Sequence, residues 1–161
     1  MSKLIPDDIR SFQVEHFPII TSFCQKIGLE QTVNTLVQNE MHVKPGTIVV
    51  GMILDTLSGR SPLYHLEHFY QNQDLGLLFG DDISASDFND DNIGRCLDDI
   101  HETGTIKLFS SIALKACEYF NIDKTIGHFD TTSVNVWGEY PTTPQAGQGP
   151  DIRKGFSKDH R

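Results

Sequence analysis

Apolar side chains recur at helical spacing along roughly the first 120 residues of this chain. Pro18 opens a stretch in which Ile19, Ile20, Phe23, Cys24 and Ile27 share a face before Gly28 stops it. A short segment, Glu30–Gln38, follows with Val33, Leu36 and Val37 as its apolar side. Pro45 opens a third, where Ile48, Val49, Met52, Ile53 and Leu57 make a wide stripe ending at Gly59. Pro62 opens another through Leu63, Leu66, Phe69 and Tyr70. Residues 74–88 read as a turn of helix and then a loop. Asn89 or Asp90 is placed to cap a helix carrying Ile93, Cys96, Leu97 and Ile100. After Gly104, Thr105 is expected to cap the last helix, with Ile106, Phe109, Ile112, Ala113, Ala116, Cys117 and Phe120 on one face.

Beyond that point the period changes. Thr125 to Trp137 is rich in β-branched and aromatic residues and predicts a strand of about a dozen residues. Residues 138–150 carry Gly138, Pro141, Pro144, Gly147, Gly149 and Pro150, and predict a long turn. Ile152 to Ser157 would return antiparallel as a second strand.

Composition narrows the class. With 38% hydrophobic and 22% charged residues, the chain can build a packed core. The longest apolar run, Ile48 to Leu54, is far short of the ~18 residues of a membrane span. The N-terminus lacks an apolar leader, so a cytoplasmic location and no membrane partner are expected. Cys24, Cys96 and Cys117 are far apart and include no CxxC, which excludes a disulfide framework and a cysteine zinc site. The net charge is −9, yet the last eleven residues hold four basic and two acidic side chains. Arg153, Lys154, Lys158 and Arg161 are therefore the dense cationic cluster and the expected place for DNA phosphate contacts.

The candidate chemistry centres on Asp130. Strand alternation places Ile126, His128, Asp130, Thr132, Val134 and Val136 on one face. A carboxylate inside a strand needs compensation, either hydrogen bonds at a strand end or bulge, or a hard cation such as Mg²⁺ or Mn²⁺. His65 and His68 have a spacing that permits a metal pair, without a third ligand in view. Cys96 and Cys117 fall on apolar stripes and read as core residues. The acidic stretch Asp81-Asp82, Asp87, Asp90-Asp91, Asp98-Asp99 and Glu102 lacks calcium-loop spacing and reads as a solvated face.

Together, several segments resemble a bacterial insertion-sequence transposase of a DDE branch with a helical N-terminal domain. They are His128-Phe129-Asp130-Thr131-Thr132-Ser133-Val134, Gly138-Glu139-Tyr140 and Gly155-Phe156-Ser157-Lys158-Asp159-His160-Arg161. Upstream, Phe17-Pro18-Ile19, Pro62-Leu63-Tyr64, Phe88 to Asp98 and Leu108-Phe109 resemble that N-terminal domain.

The resemblance implies a mainly α chain: a helical domain over 1–124, then 125–161 as the first β-hairpin of a ribonuclease H-like catalytic domain. It implies that Asp130 is the first of three carboxylates that hold two divalent ions, Mg²⁺ or Mn²⁺, for cleavage and joining of insertion-sequence ends. The matching segments end at Arg161, ahead of the family's second Asp and its Glu. The chain is thus expected to be an N-terminal portion without activity of its own, the chemistry belonging to a full-length parent. Two other readings stand beside it. One is a non-catalytic helical interaction module that pairs with itself or with a full-length transposase. The other is a small metallohydrolase using His65, His68 and Asp130.

Overall fold

The central helix of the protein is the one with the longest apolar run. The structure, a computed structural model, describes residues 11, 12, 14–59 and 61–127. Seven α-helices occur among them: α1 (Phe17–Lys26), α2 (Leu29–Leu36), α3 (Pro45–Ser58), α4 (Leu66–Tyr70), α5 (Leu75–Phe79), α6 (Asp90–Thr103) and α7 (Thr105–Tyr119). Short 3₁₀ turns lie at Leu63–His65 and Ala85–Phe88. The chain divides into two units, Met1–Asp123 and Lys124–Arg161. All seven helices belong to the first.

A helix apolar around its whole circumference has to be covered around its whole circumference. On α3, Pro45, Gly46, Thr47, Ile48, Val50, Gly51, Leu54 and Asp55 are all buried. Its Val50 and Leu54 join Phe17, Cys24, Leu29, Val33, Val37, Leu78 and Leu108 in one core cluster. Its Ile48 joins Val43, Leu66, Tyr70, Phe88, Ile93 and Cys96 in a second. The inward face is therefore shifted from the expected stripe. Val49, Met52 and Ile53 are half-buried and Leu57 is exposed, because helices pack on two sides of α3 rather than one.

Two glycines permit that packing. A Cβ on Gly46 would sit 2.5 Å from the Glu30 carbonyl oxygen and 2.8 Å from the Asn34 amide oxygen, so α2 lies directly against the start of α3. The Gly46 N–H donates to that same Asn34 oxygen at 2.7 Å, and the Thr47 hydroxyl donates to the Glu30 carboxylate. At Gly51 a Cβ would run into the ring of Phe88. Phe88 is stacked on Tyr70, with ring centroids 4.2 Å apart, and the Tyr70 hydroxyl donates to the Gly51 carbonyl at 2.8 Å.

Corners between helices follow local backbone chemistry. Gly28, at φ 64°, is both the stop after α1 and the start of α2. Asn89 caps α6, its side-chain oxygen accepting from the Asn92 N–H at 2.8 Å. At α7 the expectation of a Thr105 cap is corrected: Gly104, at φ 95°, occupies the cap position and no side chain caps the helix. The Pro62 helix is also shorter than expected, a 3₁₀ turn leading into α4, with Leu63 and Tyr64 exposed.

The last helix carries the largest correction. Its buried side chain is Leu108, with Ile112 packed beside it, against α2 and α6. Ile106, Phe109 and Phe120, expected to face the core, are exposed. The helix ends in a left-handed residue, Asn121 at φ 50°, with the Ile122 N–H donating to the Cys117 carbonyl. Thr125 to Gly127, the start of the expected strand, is irregular. The rest of that strand, the 138–150 turn and the 152–157 strand lie outside the described residues.

Candidate functional site

The site residues expected from the sequence are Asp130 for metal and catalysis, and Arg153, Lys154, Lys158 and Arg161 for DNA. All five lie outside the described residues. The remaining candidates do have positions. His65 ends the 3₁₀ turn and His68 sits on α4, and both line a hollow of about 440 Å³ with Ser61, Pro62 and Phe69. The two histidines thus border the same hollow. No group of three or more His, Cys, Asp or Glu positioned to hold a metal ion exists among the described residues.

The acidic stretch is structural where its side chains have partners. The Asp74 carboxylate accepts from the Leu77 N–H and caps α5. Asp87 accepts from the backbone N–H and the hydroxyl of Ser84, closing a capping box around the 3₁₀ turn. Asp90 accepts from the Asp91 N–H, and Asp99 accepts from the Asn39 amide at 3.2 Å. Carboxylates at helix starts complement the positive end of the dipole. Asp81, Asp82, Asp90, Asp91, Asp98 and Glu102 are exposed, in keeping with a solvated face.

The cysteines separate by environment. Cys96 is buried on α6 with its thiol donating to the Pro45 carbonyl at 3.8 Å, and burial, then the charge of Asp99, pushes it up from 9.0 to about 11. Burial likewise raises Cys24. A protonated, enclosed thiol is a core group rather than a nucleophile. Cys117, expected in the core, is only half-buried, because its face of α7 is turned outward.

One polar pair was not legible in the sequence. Asp55 is 2% exposed on α3, and its carboxylate accepts from the Ser61 N–H at 3.1 Å, fixing the corner after Gly59. Burial first, then this carboxylate, raises the Tyr70 phenol above its usual 10. Asp55 directly follows the apolar run Ile48–Leu54, which is the one signal that could have singled it out. The carboxylate thus ties α3 to the corner that follows it.

These observations define a helical unit whose polar side chains serve caps and corners. Over residues 9–114 the chain matches the family model of a domain of unknown function, DUF4277, and it belongs to that family. No curated protein and no solved structure matches the chain. Among the described residues, no helix is long and apolar enough to cross a membrane.

Proposed function

We propose that the chain serves DNA transposition: residues 1–124 as the helical N-terminal domain, and residues 125–161 as the start of the ribonuclease H-like domain, of an insertion-sequence DDE transposase. The observation that supports this reading is an order along the chain. The family domain at residues 9–114 is followed closely by His128-Phe129-Asp130-Thr131-Thr132-Ser133-Val134 and then by Gly155–Arg161. Those are the segments that resemble the opening of a DDE catalytic domain. The helical unit adds a negative argument of its own. Its carboxylates with partners are committed to caps and corners, and its buried thiols are held protonated. The reading therefore assigns the chemistry to the segment of Asp130.

In this reading Asp130 is a ligand for Mg²⁺ or Mn²⁺, and Arg153, Lys154, Lys158 and Arg161 meet the phosphates of the transposon ends. Two divalent ions in such a site supply an activated oxygen nucleophile and a stabilised leaving oxygen. One carboxylate does not hold two ions, so activity requires two further carboxylates beyond Asp130. The test is metal-dependent nicking and joining of DNA by a polypeptide that carries this chain together with those carboxylates. Asp130→Ala is expected to abolish the chemistry and leave DNA affinity within about twofold. Replacing the four cations with Ala is expected to weaken binding and flatten its salt dependence, by a log–log slope of roughly 0.9 for each phosphate that is no longer neutralised. Undiminished strand joining by the Asp130 variant would refute the assignment.

A further inference from the structure

The outward face of α7 is the largest unexplained feature of the helical unit. Ile106 is 81% exposed, Phe109 73% and Phe120 44%, and Ala113, Ala116 and Cys117 lie between them on the same side. Phe120 meets Phe23 of α1, with ring centroids 6.0 Å apart, and extends the patch to Phe23 at 48% and Ile19 at 62% exposed, one turn away. Scaled to about 200 Å² for a large side chain, these five expose roughly 600 Å². That lies at the upper end for a patch on a monomer, about 300–600 Å². With its rim of Leu114 and Tyr119 it approaches the ~800 Å² that each partner contributes to a stable interface.

We infer that this face pairs with the same face of a second copy of the chain, the two α7 helices running antiparallel about a two-fold axis at Ala113. Size complementarity carries the arrangement. Phe109 and Cys117 are each four residues from Ala113, and Ile106 and Phe120 are each seven. An antiparallel pair therefore sets the large Phe109 against the small Cys117, and Ile106 against Phe120, while Ala113 meets itself where the helices cross. A parallel pair would set Phe109 against Phe109 and leave a gap at the alanines. Closed two-fold pairing is also the commonest form of self-association.

Charge favours the same partner. The chain is acidic overall, and α6 carries Asp90, Asp91, Asp98, Asp99 and Glu102. α7, by contrast, has Lys107 and Lys115 against the single acidic Glu118, and Lys26 stands over the Phe23 ring. Two acidic copies repel least across this face. The inference is independent of the transposition reading, since it uses the helical unit alone.

Sedimentation of the whole 161-residue chain at about 50 μM tests it. A dimer is expected, and Phe109→Asp or Ile106→Lys is expected to weaken it by at least ~100-fold with unchanged circular dichroism. Mild oxidation should crosslink Ala113→Cys to itself in a Cys117→Ser background, whereas Ile106→Cys should not crosslink to itself. A monomeric wild-type chain overturns the inference, as does a dimer that survives both substitutions. A monomer whose melting temperature falls on Phe109→Asp shows the face covered within one copy and also overturns it. Self-crosslinking of Ile106→Cys without that of Ala113→Cys rejects the antiparallel arrangement.

Discussion

At Gly51 two opposing residue-level effects can be weighed directly. Glycine inside a helix costs about 1 kcal/mol relative to alanine, so in an open position Gly→Ala would stabilise. Here the added methyl meets the ring of Phe88, which is fully buried and held between Tyr70 and Phe79. The far end of a flexible side chain would move aside, but an enclosed ring in an aromatic cluster has nowhere to go. Overpacking of this kind costs roughly 1–3 kcal/mol. Gly51→Ala is therefore expected to destabilise by up to about 2 kcal/mol, read as a lower midpoint in urea. A stabilised variant would mean that the Phe88 ring is free to shift. The glycine was visible in the apolar run of α3, but its reason was not, since Phe88 is distant in sequence and reaches Gly51 only through tertiary packing.

Among elements, α6 and α7 differ in what begins them. Asn89 satisfies one of the bare N–H groups at the start of α6, with Asp90 and Asp91 in the first turn to complement the dipole. Asn89→Ala is expected to cost about 1 kcal/mol, and Asn89→Ser to restore most of it. Melting temperatures of the two variants decide; equal losses in both would show that the side chain acts through something other than the cap. This start was legible because capping is local chemistry. The orientation of α7 was not. Apolar residues occupy most of its circumference, so periodicity identifies the helix and leaves its inward side open. Packing against α2 and α6 chooses Leu108 and Ile112, and the stripe that looked like core becomes surface. On α1, similarly, Phe17 and Cys24 turn inward while Ile19 and Phe23 remain outside.

For the molecule as a whole, the pH dependence of stability follows from its buried weak acids. Cys96 and Tyr70 are both neutral when protonated, and both hold their protons more tightly when folded. The unfolded chain releases them first, so their contribution is complete below pH 9 and declines as the pH rises through about 11. Urea unfolding between pH 7 and 11 is expected to show a plateau and then a fall, with a shallower fall in Cys96→Ala. A wild-type curve flat between pH 9 and 11 contradicts this. The mainly helical class and the presence of each helical segment were readable from spacing, caps and breakers. The candidate chemistry was read from Asp130 and the basic residues beyond it, which lie outside the described residues. Its assignment therefore rests on the resemblance of those segments to a DDE catalytic domain.

The position of α3 between two core clusters has a consequence for biosynthesis. Most of its partners in one cluster, on α1 and α2 and at Val37, precede it in the chain, with Leu78 and Leu108 added later, whereas all its partners in the other except Val43, namely Leu66, Tyr70, Phe88, Ile93 and Cys96, follow it. A chain leaving the ribosome thus presents α3 with one flank largely covered and the flank of Ile48 bare. At about 5–20 residues per second, the interval until Cys96 emerges lasts roughly 2–8 seconds. During that interval the nascent protein carries a helix with a bare apolar flank, and any chaperone contact is expected to fall there, between the synthesis of α3 and that of α6.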